Sequence, residues 1–151
     1  MSSDADLVDR AYEACWLQSR GRYNKWVDGC LDPISRRFYV AMNAITRGMN
    51  GGITDLLHEV RFELEESISA LESFGLFSEA KAVRELKQLS AHLVLSKDQR
   101  QRDLQIADVE ISEADLRRLN KPFVVDEQDR IYRCLAEVVQ SHPKSFDFPG
   151  R

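Results

Sequence analysis

Long hydrophobic runs are what this sequence most plainly lacks. No apolar stretch approaches the roughly 20 residues of a membrane span, so no membrane partner is expected. The segment Met1-Ser2-Ser3-Asp4-Ala5-Asp6 has neither the basic start nor the apolar run of a secretory signal. Cysteine is scarce: Cys15, Cys30 and Cys134 show no Cys-x-x-Cys spacing, and an odd number cannot pair off completely within one chain. A reducing cytoplasm is the expected compartment. Cys15 and Cys134 sit among apolar neighbours and read as small buried side chains, while Cys30 lies beside a turn. The histidines, His58, His92 and His142, are far apart, and His58-Glu59-Val60-Arg61-Phe62 carries phenylalanine where a zinc-protease helix has its second histidine. No metal site is expected. Gly51-Gly52 has no preceding strand and no following Lys-Ser/Thr, which excludes a phosphate-cradling loop. There is no Gly-x-Ser-x-Gly elbow, and the adjacent Glu65 and Glu66 diverge around a helix, so they are not an acid–base pair. These absences together predict a protein that is not an enzyme, with no catalytic residue and no cofactor.

What is present suits one globular domain. A chain of 151 residues, 43% hydrophobic and 30% charged, can bury about two thirds of its unfolded surface in a single core. Residues 1–151 are therefore read as one domain. The 21 Lys and Arg against 25 Asp and Glu leave a net charge of −4, which argues against direct nucleic-acid binding.

The apolar spacing is helical almost throughout. Asp4 or Asp6 caps a first helix with Leu7, Ala11, Ala14, Cys15 and Leu17 on its apolar face, and Ser19-Arg20-Gly21 ends it. Tyr23 to Cys30, with Trp26 and Val27, fits a short helix or a packed loop. Asp32-Pro33 starts a second helix through Phe38, Tyr39, Met42, Ile45 and Met49. Asn50-Gly51-Gly52 stops it, because glycine tolerates positive φ. Thr54 then caps a run carrying Ile53, Leu56, Leu57, Val60, Leu64, Ile68, Leu71 and Phe74. That run is one helix, or two meeting near Phe62-Glu63, and Gly75 ends it. Ser78 caps the next helix, with Ala80, Val83, Leu86, Leu89, Leu93 and Val94 as its buried side. The two runs flanking Gly75 are expected to form an antiparallel hairpin at the centre of the core, with Leu64, Ile68, Leu71, Val83 and Leu86 inside. Ser96 to Asp103 is helix or solvated linker, Ser112 opens a further helix to Asn120, and Phe123-Val124-Val125 is a β-like patch too short for a sheet. Asp126 caps a last helix through Ile131, Leu135, Val138 and Val139, until His142-Pro143 stops it. Phe146 and Phe148 return to the core. The fold class is all-α, a single-domain multi-helix bundle.

One charged feature stands out. Between Ile53 and Glu79 the acids Asp55, Glu59, Glu63, Glu65, Glu66, Glu72 and Glu79 face Arg61 alone. On a continuous helix Asp55, Glu59, Glu63 and Glu66 would share one face at about 5–6 Å intervals. Such a row fits a surface that imitates the nucleic-acid backbone to a basic partner; the competing reading is a solvated face opposite the buried stripe.

The sequence resembles a family of small bacterial all-helical proteins whose founding member is a DNA mimic. The resemblance rests on Asn50-Gly51-Gly52 after an amphipathic helix, on Ala70-Leu71-Glu72-Ser73-Phe74-Gly75 followed by Ala80 to Leu86, and on His142-Pro143-Lys144-Ser145-Phe146. It covers about residues 37–146 in order. It implies a helical fold, a homodimer and, as in the founder, carboxylates that occupy the DNA-binding face of a transcriptional regulator. It supplies no catalytic residue. Where relatives have an aromatic segment after the two glycines, this chain has Thr54-Asp55-Leu56-Leu57-His58-Glu59. Two functions are therefore expected: an acidic binder of a basic protein partner, or an immunity-type or housekeeping binding protein that uses an apolar patch. Trp16, Trp26 and Phe148 are spare apolar residues for self-association.

Overall fold

Asp32-Pro33 opens the element on which the others are laid. The Asp32 carboxylate accepts from the Ser35 amide at 2.8 Å, and Pro33 takes the first helical turn, where its missing N–H costs nothing. In the computed structural model, which describes residues 3–19 and 30–148, this helix runs Pro33–Gly51. The order is α1 (Asp4–Ser19), α2 (Pro33–Gly51), a 3-10 helix (Ile53–His58), α3 (Leu64–Ser73), α4 (Phe77–Leu89), α5 (Gln99–Ala107), α6 (Glu113–Asn120) and α7 (Gln128–Ser141). Short 3-10 turns occupy Lys121–Phe123, Val125–Glu127 and Pro143–Phe146. The fold is all-α, and the described residues contain no strand. The β-like patch at Phe123 falls in two of those turns. Trp26 and Val27 lie outside the described residues.

Every residue of α2 from Phe38 to Ile45 is buried, the signature of a helix surrounded by others. The centre of the core is thus α2, not the pair flanking Gly75. α1, α3 and the 3-10 helix pack on it. The Tyr39 ring meets Tyr12 of α1 at 5.4 Å and Phe62 at 5.7 Å between centroids. Phe146 sets its ring edge-on to Phe38 at 5.0 Å, and Phe148 is buried, so the C-terminal segment does return to the core. α7 lies along α1; on α1 the buried residues are Val8, Ala11, Ala14, Cys15 and Ser19, while Leu17 is 41% exposed.

Capping chemistry places several helix starts differently from the sequence reading. Ser3 caps α1, its hydroxyl accepting from the Asp6 amide while the Asp6 carboxylate accepts from the Ser3 amide, a reciprocal box that satisfies two free donors. Ser112 and Asp98 cap α6 and α5 through the amides of Asp115 and Gln101. Ser78 does not cap α4, which starts at Phe77. There the turn is made by Gly75 at φ +77°, with the Leu76 amide reaching back to the Leu71 carbonyl at 2.9 Å, the bond pattern that closes a helix on a left-handed residue. α7 starts at Gln128 after Glu127 rather than on Asp126.

α3 and α4 lie against each other across this turn, crossed by ion pairs from Glu72 to Arg84 and from Glu65 to Lys87. Ile68, Leu71, Val83 and Leu86 are buried, and Leu64 is partly buried against them. α4 ends at Leu89, so Leu93 and Val94 do not extend its buried side; Val94 is 89% exposed. The buried Glu79 of α4 is held by Arg130 of α7, one nitrogen reaching both carboxylate oxygens at 2.8 and 3.1 Å. Behind α2, Phe123 occupies the space beside Gly48, where a Cβ would lie 2.6 Å from its ring.

Leu71→Ala is expected to lower stability by about 2–5 kcal/mol, the range for emptying a buried leucine site. Gly48→Ala, which forces Phe123 aside, is expected to cost about 1–3 kcal/mol by overpacking. Urea titration of both variants checks these values; an unchanged midpoint for Leu71→Ala would remove that residue from the core.

Candidate functional site

The expected row of Asp55, Glu59, Glu63 and Glu66 does not form, because residues 53–74 are not one helix. Gly52 adopts φ +82°, and the Ile53 amide donates to Asn120 Oδ1 of α6 at 2.7 Å. Thr54 is therefore not a cap. A 3-10 helix follows and gives way at Glu59, whose backbone is extended at φ −71° and ψ 119°, and α3 starts only at Leu64. The four carboxylates go to different places. Asp55 pairs with Arg47 at 3.4 Å, Glu66 pairs with Arg36 at 2.6 Å, Glu63 is exposed at the start of α3, and Glu59 turns inward to only 6% exposure.

Most of the remaining run is neutralised in the same way, by cations from distant segments. Glu65 meets Lys87, Glu72 meets Arg84 and Glu79 meets Arg130. Among the described residues Glu63 is the member of the run that has no cation of its own.

The inward turn of Glu59 builds a buried polar centre. Its Oε1 accepts from the backbone amide and Nε of Arg61 at 2.8 and 2.9 Å. Its Oε2 accepts from Asn43 at 2.8 Å, from an Arg61 terminal nitrogen at 3.0 Å and from Arg47 at 3.3 Å. Arg61 donates onward to the Tyr39 hydroxyl at 2.6 Å and to Asn43 Oδ1 at 3.0 Å, and its guanidinium lies over the Tyr39 and Phe62 rings. Burial alone pushes the Glu59 carboxyl up, but the hydrogen bonds and charge of Arg61, with Arg47 behind it, hold it down at about 2. Burial pushes the neighbouring Tyr12 phenol up to about 12, with Tyr39 adding to the shift. The centre holds a fixed charge pattern. With both carboxylate oxygens already engaged, it fits a structural role better than proton transfer.

Beside this centre lies a groove of about 530 Å3 bounded by the 3-10 helix, the start of α3 and the stretch from Ser90 to Lys97. Arg102 of α5 is part of the groove's lining. Its Nε donates to the Leu57 carbonyl, and its terminal nitrogens donate to the carbonyls of Ser96 and Glu59, each at 3.0 Å. α5 itself has no buried residue. It is held by Arg102, by Gln105, whose amide spans the Val94 carbonyl and the Ser96 amide at 2.8 and 2.7 Å, and by Asp103, which meets His58 at 2.7 Å. His58 thus pairs with an aspartate on α5, and His92 is exposed.

Elsewhere the surface carries carboxylates that sequence reading passed over. Asp6, Asp9 and Glu13 line a shallow recess on α1 around Arg10. Arg10 directs its Nε to the Asp6 backbone carbonyl at 3.3 Å. Partial burial and then Asp6 raise the Asp9 carboxyl, as expected of like charges held close. Their three- and four-residue spacing was visible in the sequence, but Arg10 between them obscured the signal. Among the described residues no cluster of His, Cys, Asp and Glu could hold a metal, and no helix is long and apolar enough to cross a membrane.

The described residues thus form an all-α fold in which the buried Glu59 carboxylate is fully engaged by Arg61, Asn43 and Arg47. The sequence pattern of the DMP19-like protein family matches residues 29–142, so the chain belongs to that family, in agreement with the resemblance seen in its motifs. Comparison with curated proteins and with solved structures gave no match.

Glu59→Gln is expected to destabilise by about 3–5 kcal/mol, since it leaves Arg61 buried without its counter-charge. The pH dependence has a definite sign. The folded carboxyl sits near 2, below its ordinary value, so the stability it contributes is complete above the ordinary carboxylate range and is lost as pH falls toward 2. Thermal melts between pH 6 and pH 2 should show a steeper acid loss in the wild type than in Glu59→Gln; parallel curves would show that Glu59 does not control this window.

Proposed function

We propose that this protein is a non-catalytic binding protein of the DNA-mimic type, which presents carboxylates to the nucleic-acid-binding face of a basic protein partner such as a transcriptional regulator. Membership of the DMP19-like family carries the reading. The surface supports it in a form different from the expected row. Glu59 is withdrawn into the core, Asp55 and Glu66 are paired at the surface, and Glu63 stands exposed. The more open anionic surface is α1, where Asp6, Asp9 and Glu13 are exposed and step by about 4.5 and 6 Å along the axis. Cytoplasmic residence and the absence of direct nucleic-acid contact follow from this reading.

A second surface has its own observation. Trp16 and Leu17 are 47% and 41% exposed at the end of the same helix, and we assign them to self-association or to apolar contact with a partner; Phe148, being buried, is not available for this. Sedimentation equilibrium of wild type and Trp16→Ser should show a dimer weakened by the substitution. A monomer throughout the micromolar range would count against self-association.

The mimic reading is tested on a partner captured from the native cell, with DNA as competitor. The wild type should displace DNA from that partner, with affinity falling as salt rises because exposed charges are screened beyond about 8–10 Å. Asp6→Asn/Asp9→Asn/Glu13→Gln should weaken binding by about tenfold, as loss of several rim charges does. Asp55→Asn/Glu63→Gln/Glu66→Gln tests the other carboxylates in parallel. Affinities equal to wild type in both variants, with no salt dependence, would sink mimicry and favour the apolar surface.

A further inference from the structure

The groove beside the buried centre is left unused by an acidic binding face. Its volume of about 530 Å3 falls within the range of small-ligand sites. The half-buried Val60, Leu64, Leu93 and Leu95 supply apolar lining, and Arg102, Lys97 and Lys87 supply cations. The charges along it can be accounted for one by one. Glu59 is taken by Arg61 and Arg47, and Glu65 is taken by Lys87. Arg102 and Lys97 remain without a carboxylate of their own among the described residues, and Glu63 at the rim offsets one of the two. In a chain of net charge −4, this groove has a surplus of about one positive charge.

Arg102 gives the surplus a direction. A guanidinium has five N–H donors, of which the carbonyls of Leu57, Ser96 and Glu59 take three. One donor remains on each terminal nitrogen, the number that the two oxygens of a carboxylate can take. The three carbonyls also hold the side chain in place before any ligand arrives, which reduces the ordering cost of binding. They are dipoles and do not cancel the charge. Burial, in consequence, lowers the Arg102 pKa from the ordinary arginine range, with Glu59 working in the opposite direction.

We propose that this groove binds a small monoanionic carboxylate with a short aliphatic body, its carboxylate on Arg102 and Lys97 and its chain against Val60, Leu64, Leu93 and Leu95. The single surplus charge suits a monoanion, and the apolar lining favours one with an aliphatic body over inorganic phosphate, which has no apolar surface to bury. A short fatty acid and the carboxyl terminus of a peptide ending in an aliphatic residue share this chemistry.

The test is an amide and arginine side-chain NMR titration of the full chain with four probes: hexanoate, N-acetylleucine, the neutral N-acetylleucinamide, and inorganic phosphate. Saturable shifts at Leu95, Lys97 and the Arg102 side chain are expected with hexanoate or N-acetylleucine and not with the amide. Tighter binding of hexanoate would identify a free acid as the source; tighter binding of N-acetylleucine would identify a peptide terminus. Lys97 is exposed and bonds to no described residue, so Lys97→Glu should keep the wild-type spectrum elsewhere while weakening the carboxylate by about threefold or more, the scale of losing and reversing one partly screened charge. No saturable shift with either carboxylate, an equal response to the amide, stronger binding of phosphate, or unchanged affinity in Lys97→Glu would each overturn the proposal.

Discussion

The structure depends on one buried carboxylate and the arginine two residues after it. Glu59 and Arg61 are too close in sequence for both side chains to point inward from a regular helix, where residues two apart face different ways. Extended backbone at Glu59 removes that restriction and lets the two meet beneath Tyr39 and Asn43 of α2. The ion pair and the break in the helix therefore require each other. A continuous helix would leave the charges unmatched, and a break without the pair would bury polar groups at a cost of several kcal/mol. From this break follow the separate start of α3, the groove beside it and the three carbonyls that Arg102 engages.

Elements whose signals are local were legible in the sequence. Asp32-Pro33 specified the start of α2, and Gly52 and Gly75 marked chain reversals because their positive φ is forbidding to other residues. The apolar positions of α3, α4 and α7 followed from helical period alone. Signals that compete were less legible. Ser78 looked like a cap, yet the turn at Gly75 set the cap at Leu76 and the start of α4 two residues earlier. Leu93 and Val94 continued the hydrophobic spacing, yet Ser90 ended the helix, its hydroxyl bonding back to the Leu86 carbonyl. The choice of α2 as the centre was hidden, because burial on all sides reflects how many neighbours a helix acquires and not its own pattern.

The candidate site was harder to read for a different physical reason. Charge runs are counted along the chain, whereas ion pairs are made across it. Arg36, Arg84, Lys87 and Arg130 reach the acids between Ile53 and Glu79 from 12 to 51 residues away. An acidic segment thus became a nearly balanced surface, while α1, with Asp4, Asp6, Asp9 and Glu13 against Arg10, kept its carboxylates open. The buried centre had one readable trace, the lone Arg61 within the acidic run, which marked where a counter-charge was needed.

α5 differs in kind from the rest of the molecule. With no fully buried residue, it touches the core through the half-buried Ile106 and is held beside that by the hydrogen bonds of Arg102, Gln105 and Asp103. Segments attached in this way open at a free energy well below that of global unfolding. Two levels of stability are the consequence: a core packed around α2, and a peripheral helix whose detachment would release Arg102 from its three carbonyls while leaving that core in place.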